Sequence, residues 1–591
     1  MDGPTRREVL KVAGVAGAAA LLADDAAVAG PAAAPAPAIV SHRSTDGVII
    51  PPRGASFMKL SFGSPEPSVR FAGLELGFTI FSRENVYHLD ERKLTIEPRR
   101  DGVRVVCDGL LWAGGQETAP GRLEAVIRPS GAAAGAGIEW DVTAELPQPI
   151  KAVATIIRGL PRGKVGGAGA APADPQDDEL LYGYPFGAGD LFGGNTARGL
   201  STPFLAIHDG AQVHSIASLD DKVRAKRFYL QPGAAGYRIE AIHEVEGWRS
   251  DNRVVVPRWR IGRAASLEAA LAPHVQHLER AYRIPRWDTR PDVPPWLRRT
   301  ALVVALHGMH FTGYVFNTYQ RMLEILRWMA PQIPPERVLV FLPAWDGRYY
   351  WDYPEYRAAA RLGGEAALRR LIHDGKQLGY RFMPMFGANT ANRRLPSFAG
   401  FADAATSKID GDHMDLNWVD WDNDRHQEGW AAYMNLGVES WRRWLTDRIA
   451  AVIDGYGVDG YFLDIAGGWV NNTRADMHEG MRRLVGELRR RYPQVVACGE
   501  FHYDALLELI PLYHVHSPHA VPFARFFEHL SHPAPGRGSS GVHESGFAPF
   551  EGMPHRDGLL PTLTVVDDTF TAHQIEMTAV IREARLRAGL R

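Results

Sequence analysis

The chain has 591 residues, more than a single hydrophobic core usually spans, so two or three domains are expected. Hydrophobic residues make up 45% and charged residues 23%, and the net charge is −2, which gives no electrostatic reason for a nucleic-acid or anionic-membrane partner. Two cysteines, Cys107 and Cys498, are too few for a disulfide framework or a thiolate metal site.

Residues 1–30 read as an export signal. A basic stretch, "TRREVLK" (5–11), precedes a short apolar run, "VAGVAGAAALLA" (12–23), and then the small-residue site "AVAG" (27–30). The Arg6–Arg7 pair resembles a twin-arginine signal, which implies a periplasmic or extracellular protein. The apolar run is too short for stable membrane insertion after processing. Residues 31–44, including "PAAAPAPA", follow as a flexible linker.

From 45 to 290 the texture is that of strands. "GLELGFTIF" (73–81), "DGVRVVCDGLLWAG" (101–114) and "GIEWDVTAEL" (137–146) alternate apolar and polar residues between turn signals, and this predicts an antiparallel β-sandwich. "YGYPFGAGDLFGGN" (182–195) lacks dinucleotide-binding glycine spacing and reads as an ordered loop reaching toward a ligand.

Near Pro294 apolar runs begin to alternate with helical stretches. "ALVVALHG" (301–308), "RVLVFLPAW" (337–345), "YRFMPMFGAN" (380–389), "GVDGYFLDIAGG" (457–468), "QVVACGEFH" (494–502), "YHVHSPHA" (513–520), "GVHESGFAPF" (541–550) and "GLLPTLTVVDD" (558–568) are the expected strands. Val438, Trp441, Leu445, Ile449 and Val452 recur at helical spacing before the fourth, and a further helix is expected around 523–530. Repeated strand–helix units over residues 291–591 predict a parallel sheet in the form of a C-terminal (β/α)8 TIM barrel after the N-terminal β-sandwich.

In such a fold the C-terminal ends of the strands carry the site. Polar residues gather there: His307, Trp345, Asp346, Asn389, Asp464, Glu500, His502, His516, His519 and Asp567. Asp464 and Glu500 end consecutive strands. Neighbouring strands lie about 4.8 Å apart, so their tips can approach the roughly 5–5.5 Å separation at which one carboxylate attacks a sugar carbon while a protonated partner donates to the leaving oxygen. Trp345, Trp418, Trp421 and Trp469 supply flat apolar faces on which sugar rings stack, beside Asp346, Asn389 and the histidines as hydroxyl contacts.

The segment "WRRWLTDRIAAVIDGYGVDGYFLD" resembles the helix and fourth strand of many retaining glycoside hydrolase barrels, in which the final Asp is the nucleophile. "VVACGE" is similar to the fifth-strand acid/base segment of the α-amylase clan and of the endo-α-N-acetylgalactosaminidase families. The resemblance implies Asp464 as nucleophile, Glu500 as general acid/base, an oligosaccharide or polysaccharide substrate with a lean toward α-linkages, and no cofactor or metal. It departs from the α-amylase clan at Phe462, where that clan has Arg. Two other readings stay open: a non-catalytic carbohydrate-binding or cell-wall protein, and a metal-dependent barrel hydrolase using "HGMH" (307–310) and "HVHSPH" (514–519).

Overall fold

The computed structural model describes residues 36–43, 63–131, 137–167, 170–173, 179–185, 198–234, 236–310, 312–348, 350–408, 430–500, 503–514, 523, 525–526, 528–530 and 559–590. The export segment, most of the 182–195 loop, Trp418, Trp421, His502, His516 and His519 lie outside the described residues. Residues 37–591 belong to one unit.

The N-terminal part corrects the sandwich expectation. Its strands join into a single 18-stranded sheet rather than two separate facing sheets. Long strands make this possible. Arg253–Ala264 pairs with Gly137–Glu145 along one edge and with Val213–Ser218 along the other. Ile150–Leu160 pairs with Leu74–Ser82 and with Tyr237–Glu244. Register shifts at Val256/Trp259, Tyr237/Ile239 and Phe81/Ser82 insert bulges that bend the ladder without ending it. Alternating apolar residues define which face is buried, but not which strands pair, so the pattern alone does not separate one curved sheet from two. Inside the curve Trp140 stacks on Trp259 with ring centroids 6.3 Å apart, and the Trp140 indole N–H donates to Thr155 Oγ1 at 2.9 Å. Cys107 and Cys498 are buried free thiols.

After helix α1 (Leu267–Ala281) a second sheet begins, and it is parallel. Its strands are β1 (Leu302–Leu306), β2 (Val338–Leu342), β3 (Arg381–Gly387), β4 (Gly460–Asp464), β5 (Val496–Glu500), β6 (Leu512–His514), β7 (Glu528–Leu530), β8 (Leu559–Leu560) and β9 (Thr562–Val565). Their order is β8-β7-β6-β5-β4-β3-β2-β1-β9, nine strands in all. Helices α2 (Tyr319–Met329), α3 (Gly364–Leu378), α4 (Glu439–Tyr456) and α5 (Met477–Arg491) cover the first half, and α6 (Thr569–Ala572) and α7 (Gln574–Arg587) close the chain.

The eight regular strand–helix repeats of a TIM barrel are therefore corrected as well. Strand–helix alternation is regular only as far as β5. Just eleven residues, 501–511, separate β5 from β6, fewer than a helical crossover needs, and a 3₁₀ turn, Asp504–Glu508, takes the place of a helix. Buried Arg290 braces that turn: its guanidinium donates to the carbonyls of Leu507 at 2.5 Å and Glu508 at 3.1 Å and is paired with Asp292. Pro561 has no N–H and divides the last apolar run into β8 and β9. Residues 528–530, where a helix was expected, form a strand.

Local signals explain the regular half. Trp441, Leu445, Ile449 and Val452 form the buried face of α4, which ends at Gly457 with φ 67°. Thr318 caps α2 by accepting from Arg321 N–H at 3.3 Å, and Asp476 caps α5 by accepting from Glu479 N–H at 3.1 Å.

The two sheets meet at a buried polar knot. Asp504 accepts from Tyr184 Oη at 2.6 Å, from Thr202 Oγ1 at 2.8 Å and from Ala505 N–H at 2.8 Å. Thr202 Oγ1 also lies 2.6 Å from His274 Nε2 on α1. Burial pushes the Asp504 carboxyl up to about 6 against these donors, and burial holds the His274 imidazole at about 3, so that it is neutral.

Candidate active site

The parallel register sets the site. Gly387 at the end of β3 pairs with Asp464, Leu463 pairs with Gly499, and Glu500 pairs with His514 at the end of β6. Asp464 and Glu500 thus close adjacent strands, and their carboxyl groups hydrogen-bond to each other. A bond between two carboxyls needs a proton between them, so the pair carries one charge rather than two when the bond is made. Asp464 is 2% exposed, whereas Glu500 keeps part of its surface accessible. Protein still surrounds the Glu500 carboxyl, and this desolvation pushes its pKa up, against the bonds from Asp464 and from the Ile465 N–H.

The chain turns sharply after Asp464. Ile465 has φ 59°, the left-handed region that a β-branched residue rarely enters. Its N–H donates to Glu500 Oε2 at 3.1 Å, and the next turn returns Gly467 N–H to the Glu500 carbonyl at 2.9 Å. Gly468 fits there because it has no side chain: a Cβ would sit 2.1 Å from Tyr433 Oη. Asn389, 1% exposed, donates its amide to the Ile465 carbonyl at 2.9 Å and the Gly468 carbonyl at 3.1 Å. Farther along, Asn471 Nδ2 donates to the Val245 carbonyl at 2.9 Å and Asn471 Oδ1 accepts from Gly247 N–H at 2.8 Å, tying this loop to the N-terminal sheet.

A tyrosine wall stands beside the pair. Gly387 leaves room for the Tyr353 ring, whose nearest atom would be 2.5 Å from a Cβ there. Tyr356 Oη accepts from Gly387 N–H at 2.8 Å. Burial, with the nearby Asp464 and Asp346 charges, pushes both phenols well above their ordinary range, so they stay neutral. Asp346 is close enough to both rings for its charge to act on their phenols. It is buried, its Oδ2 meets no hydrogen-bond partner, and burial together with Asp352 pushes its carboxyl well up, which favours the neutral acid.

The remaining expected residues divide into groups. Trp345 is 1% exposed, its indole donating to the Met385 carbonyl at 3.0 Å and its own carbonyl accepting from Tyr319 Oη at 2.6 Å. Trp469 is likewise 1% exposed. His307, fully buried at the end of β1, packs edge-on against Phe316 at 5.6 Å. Tyr314 also packs on Phe316, and its hydroxyl donates to Asp567 Oδ1 at 2.7 Å, so His307 and Asp567 form a second cluster through Phe316 and Tyr314. Trp351 stacks on the buried Trp430 at 4.5 Å, with the Arg348 guanidinium 4.1 Å from the Trp351 ring. Among the described residues no group of three or more His, Cys, Asp or Glu side chains is arranged to hold a metal ion.

Tyr353, Tyr356 and the left-handed Ile465 are the parts of the site that sequence reasoning missed. Tyr353 closes the aromatic run "WDGRYYWDY" (345–353) and Tyr356 lies three residues beyond it; nothing in the sequence marks Ile465.

No family model matches the chain, and no curated protein matches it. Solved structures do. The α-N-acetylgalactosaminidase NagBb from Bifidobacterium bifidum in its ligand-free form superposes with TM-score 0.60 at 14% identity, covering 89% of this chain and 91% of that one. Its GalNAc complex gives TM-score 0.62 and its Gal-NHAc-DNJ complex 0.61, with the same identity and coverage. At this identity the likeness is one of fold.

Proposed function

We propose that the protein is a glycoside hydrolase that cleaves α-linked sugars by a two-step, retaining displacement. The observation that carries the reading is the hydrogen-bonded carboxyl pair Asp464–Glu500 on adjacent strand ends, with Glu500 shifted toward its protonated form. The fold shared with an α-N-acetylgalactosaminidase supports the choice of substrate class and makes N-acetyl-α-galactosaminides the first compounds to try.

In this reading a sugar entering between the carboxyls replaces their mutual bond. Glu500 gives its proton to the glycosidic oxygen as Asp464 attacks the anomeric carbon, and the leaving alcohol departs. Water then attacks the glycosyl ester, with Glu500 taking back a proton and Asp464 released as carboxylate. The buried Tyr353 and Tyr356 phenols beside the pair stay neutral and so add no charge next to it. Residues 1–30 direct export through a twin-arginine route.

The test is a panel of aryl α- and β-glycosides assayed with the natural chain and with Asp464→Asn and Glu500→Gln. Turnover that both variants lower by about a thousandfold or more, with retained anomeric configuration by NMR, supports the proposal. Saccharide binding without turnover in the unmutated protein defeats it, as does turnover that survives both substitutions.

A further inference from the structure

Tyr314 is 54% exposed, and among the described residues no other Phe, Tyr or Trp is as open to solvent. Exposure of a single aromatic is ordinary on a protein surface. What sets this ring apart is that it is held still. Its hydroxyl donates to Asp567 Oδ1 at 2.7 Å, and its ring meets Phe316 nearly edge-on, with centroids 5.5 Å apart and planes at 69°. The backbone beneath it is a closed turn. His310 N–H donates to the Tyr314 carbonyl at 2.7 Å, Gly313 N–H donates to the His310 carbonyl at 2.8 Å, and Met309 pairs with Val315.

The turn follows β1, at the same C-terminal end of the parallel sheet that carries Asp464 and Glu500. From the strand end outward, rings form a ladder. His307 is fully buried, Phe316 is half-buried with its centroid 5.6 Å from His307, and Tyr314 is the exposed last rung. β1 stands three strands from β4, about 14 Å along the sheet at the usual strand spacing. Tyr314 therefore faces what projects from a sugar bound at the carboxyls, not the reacting carbon. Asp464 is buried beside the buried Tyr353 and Tyr356, so a leaving group that departs to solvent extends toward the open end of the ladder. A phenol ring fixed at a surface suits the C–H face of a pyranose, and fixing it in advance removes the entropy cost of ordering it on binding.

We infer that Tyr314 is the platform of a leaving-group subsite, on which a sugar ring of a saccharide substrate stacks, and that the bond to Asp567 holds the platform in place. The inference rests on the glycosidase reading and adds to it that the group released is itself a saccharide.

The experiment compares two substrates. One is galactose substituted with N-acetyl-α-galactosamine, whose leaving group is a sugar. The other is N-acetyl-α-galactosaminyl fluoride, whose leaving group has no ring. The ratio of kcat/KM on the disaccharide to kcat/KM on the fluoride is measured for the natural chain, Tyr314→Ala, Tyr314→Phe, Asp567→Ala and the combined Tyr314→Phe/Asp567→Ala. Activity on the fluoride also reports whether each variant is folded. In Tyr314→Ala the ratio falls about five- to tenfold, mainly through KM. Tyr314→Phe keeps the ring without its tether and lowers the ratio about two- to threefold. Asp567→Ala does the same, and the combined variant loses no more than either alone, because both remove one bond. A ratio unmoved in Tyr314→Ala overturns the inference, and additive losses in the combined variant overturn the part given to Asp567. A second readout needs no turnover: saturation-transfer NMR of the disaccharide on the Glu500→Gln chain. Protons of the galactose ring receive saturation there and lose it when Tyr314→Ala is added. No transfer to that ring on the Glu500→Gln chain overturns the inference. If the transfer is present and the natural chain cleaves neither substrate, the subsite stands and the glycosidase reading falls. If the disaccharide is cleaved and the transfer is indifferent to Tyr314, the glycosidase reading stands and the subsite falls.

Discussion

Replacing Asp504 by Asn tests the account of the junction between the two sheets. The carboxyl is fully buried, and its pKa rises from the ordinary 3.8 to about 6. Below pH 3.8 the group is protonated in both folded and unfolded chains and contributes nothing. Between 3.8 and 6 the folded chain holds a proton that the unfolded chain has released, so stability falls as pH rises. Above 6 the folded state carries the whole cost of a buried charge, about 3 kcal/mol at ~1.4 kcal/mol per pH unit. Asparagine removes that cost and can keep the bonds. Its Oδ1 accepts from Tyr184 and Ala505, and its Nδ2 donates to Thr202 Oγ1, whose hydrogen then turns to His274 Nε2, 2.6 Å away. The neutral His274 can accept it. The assay is calorimetry of both proteins at pH 4, 5, 6 and 7. Whatever the offset at pH 4, the melting temperature of the variant minus that of the natural chain rises by pH 7, by roughly 2 °C for a folding unit of this size. A difference that stays flat with pH, or falls, refutes the reasoning.

Further substitutions probe close packing on α5 and at the site. A Cβ at Gly480 on α5 would lie 2.1 Å from the Leu436 carbonyl carbon and 2.3 Å from Gly437 N, so Gly480→Ala should cost about 3 kcal/mol or more despite its better helix propensity. Gly486 on the same helix meets only the tip of Arg490 at 3.7 Å, so Gly486→Ala should stabilise by up to about 1 kcal/mol; thermal melts of the pair check the contrast. Gly468→Ala drives its methyl into Tyr433 Oη and should lower kcat by displacing the Asn389-bound turn. Adding Tyr433→Phe removes the clashing oxygen and should restore part of that loss in the same steady-state assay.

Much of the parallel half was legible. The spacing of Trp441, Leu445, Ile449 and Val452 marks α4, and the apolar runs ending at Asp464 and Glu500 mark β4 and β5, because strand–helix alternation there is long enough for helical crossovers. The pattern misleads where the chain is too short for that alternation. Eleven residues between β5 and β6 leave space only for a turn, and the buried Arg290 that satisfies its carbonyls comes from more than two hundred residues away. The N-terminal sheet was misjudged for another reason. Strands such as Arg253–Ala264 serve two neighbours through bulges, and a bulge leaves little trace in hydrophobic alternation. In the site, residue chemistry pointed to the carboxyls but not to their supports. A β-branched residue disfavours positive φ, so Ile465 is the last place to expect it, and its partner Asn389 reads from the sequence as a hydroxyl contact. Local rules fail most visibly at such strained positions.

The central claim is that Asp464 attacks the sugar while Glu500 serves as its acid and base. Its most direct test is mass spectrometry of Glu500→Ala after brief reaction with a dinitrophenyl N-acetyl-α-galactosaminide. The activated leaving group departs without an acid, and loss of the base stalls hydrolysis. The account predicts a glycosyl ester on the peptide bearing Asp464. An adduct on another residue, or rapid turnover with no adduct and with inverted product, contradicts it.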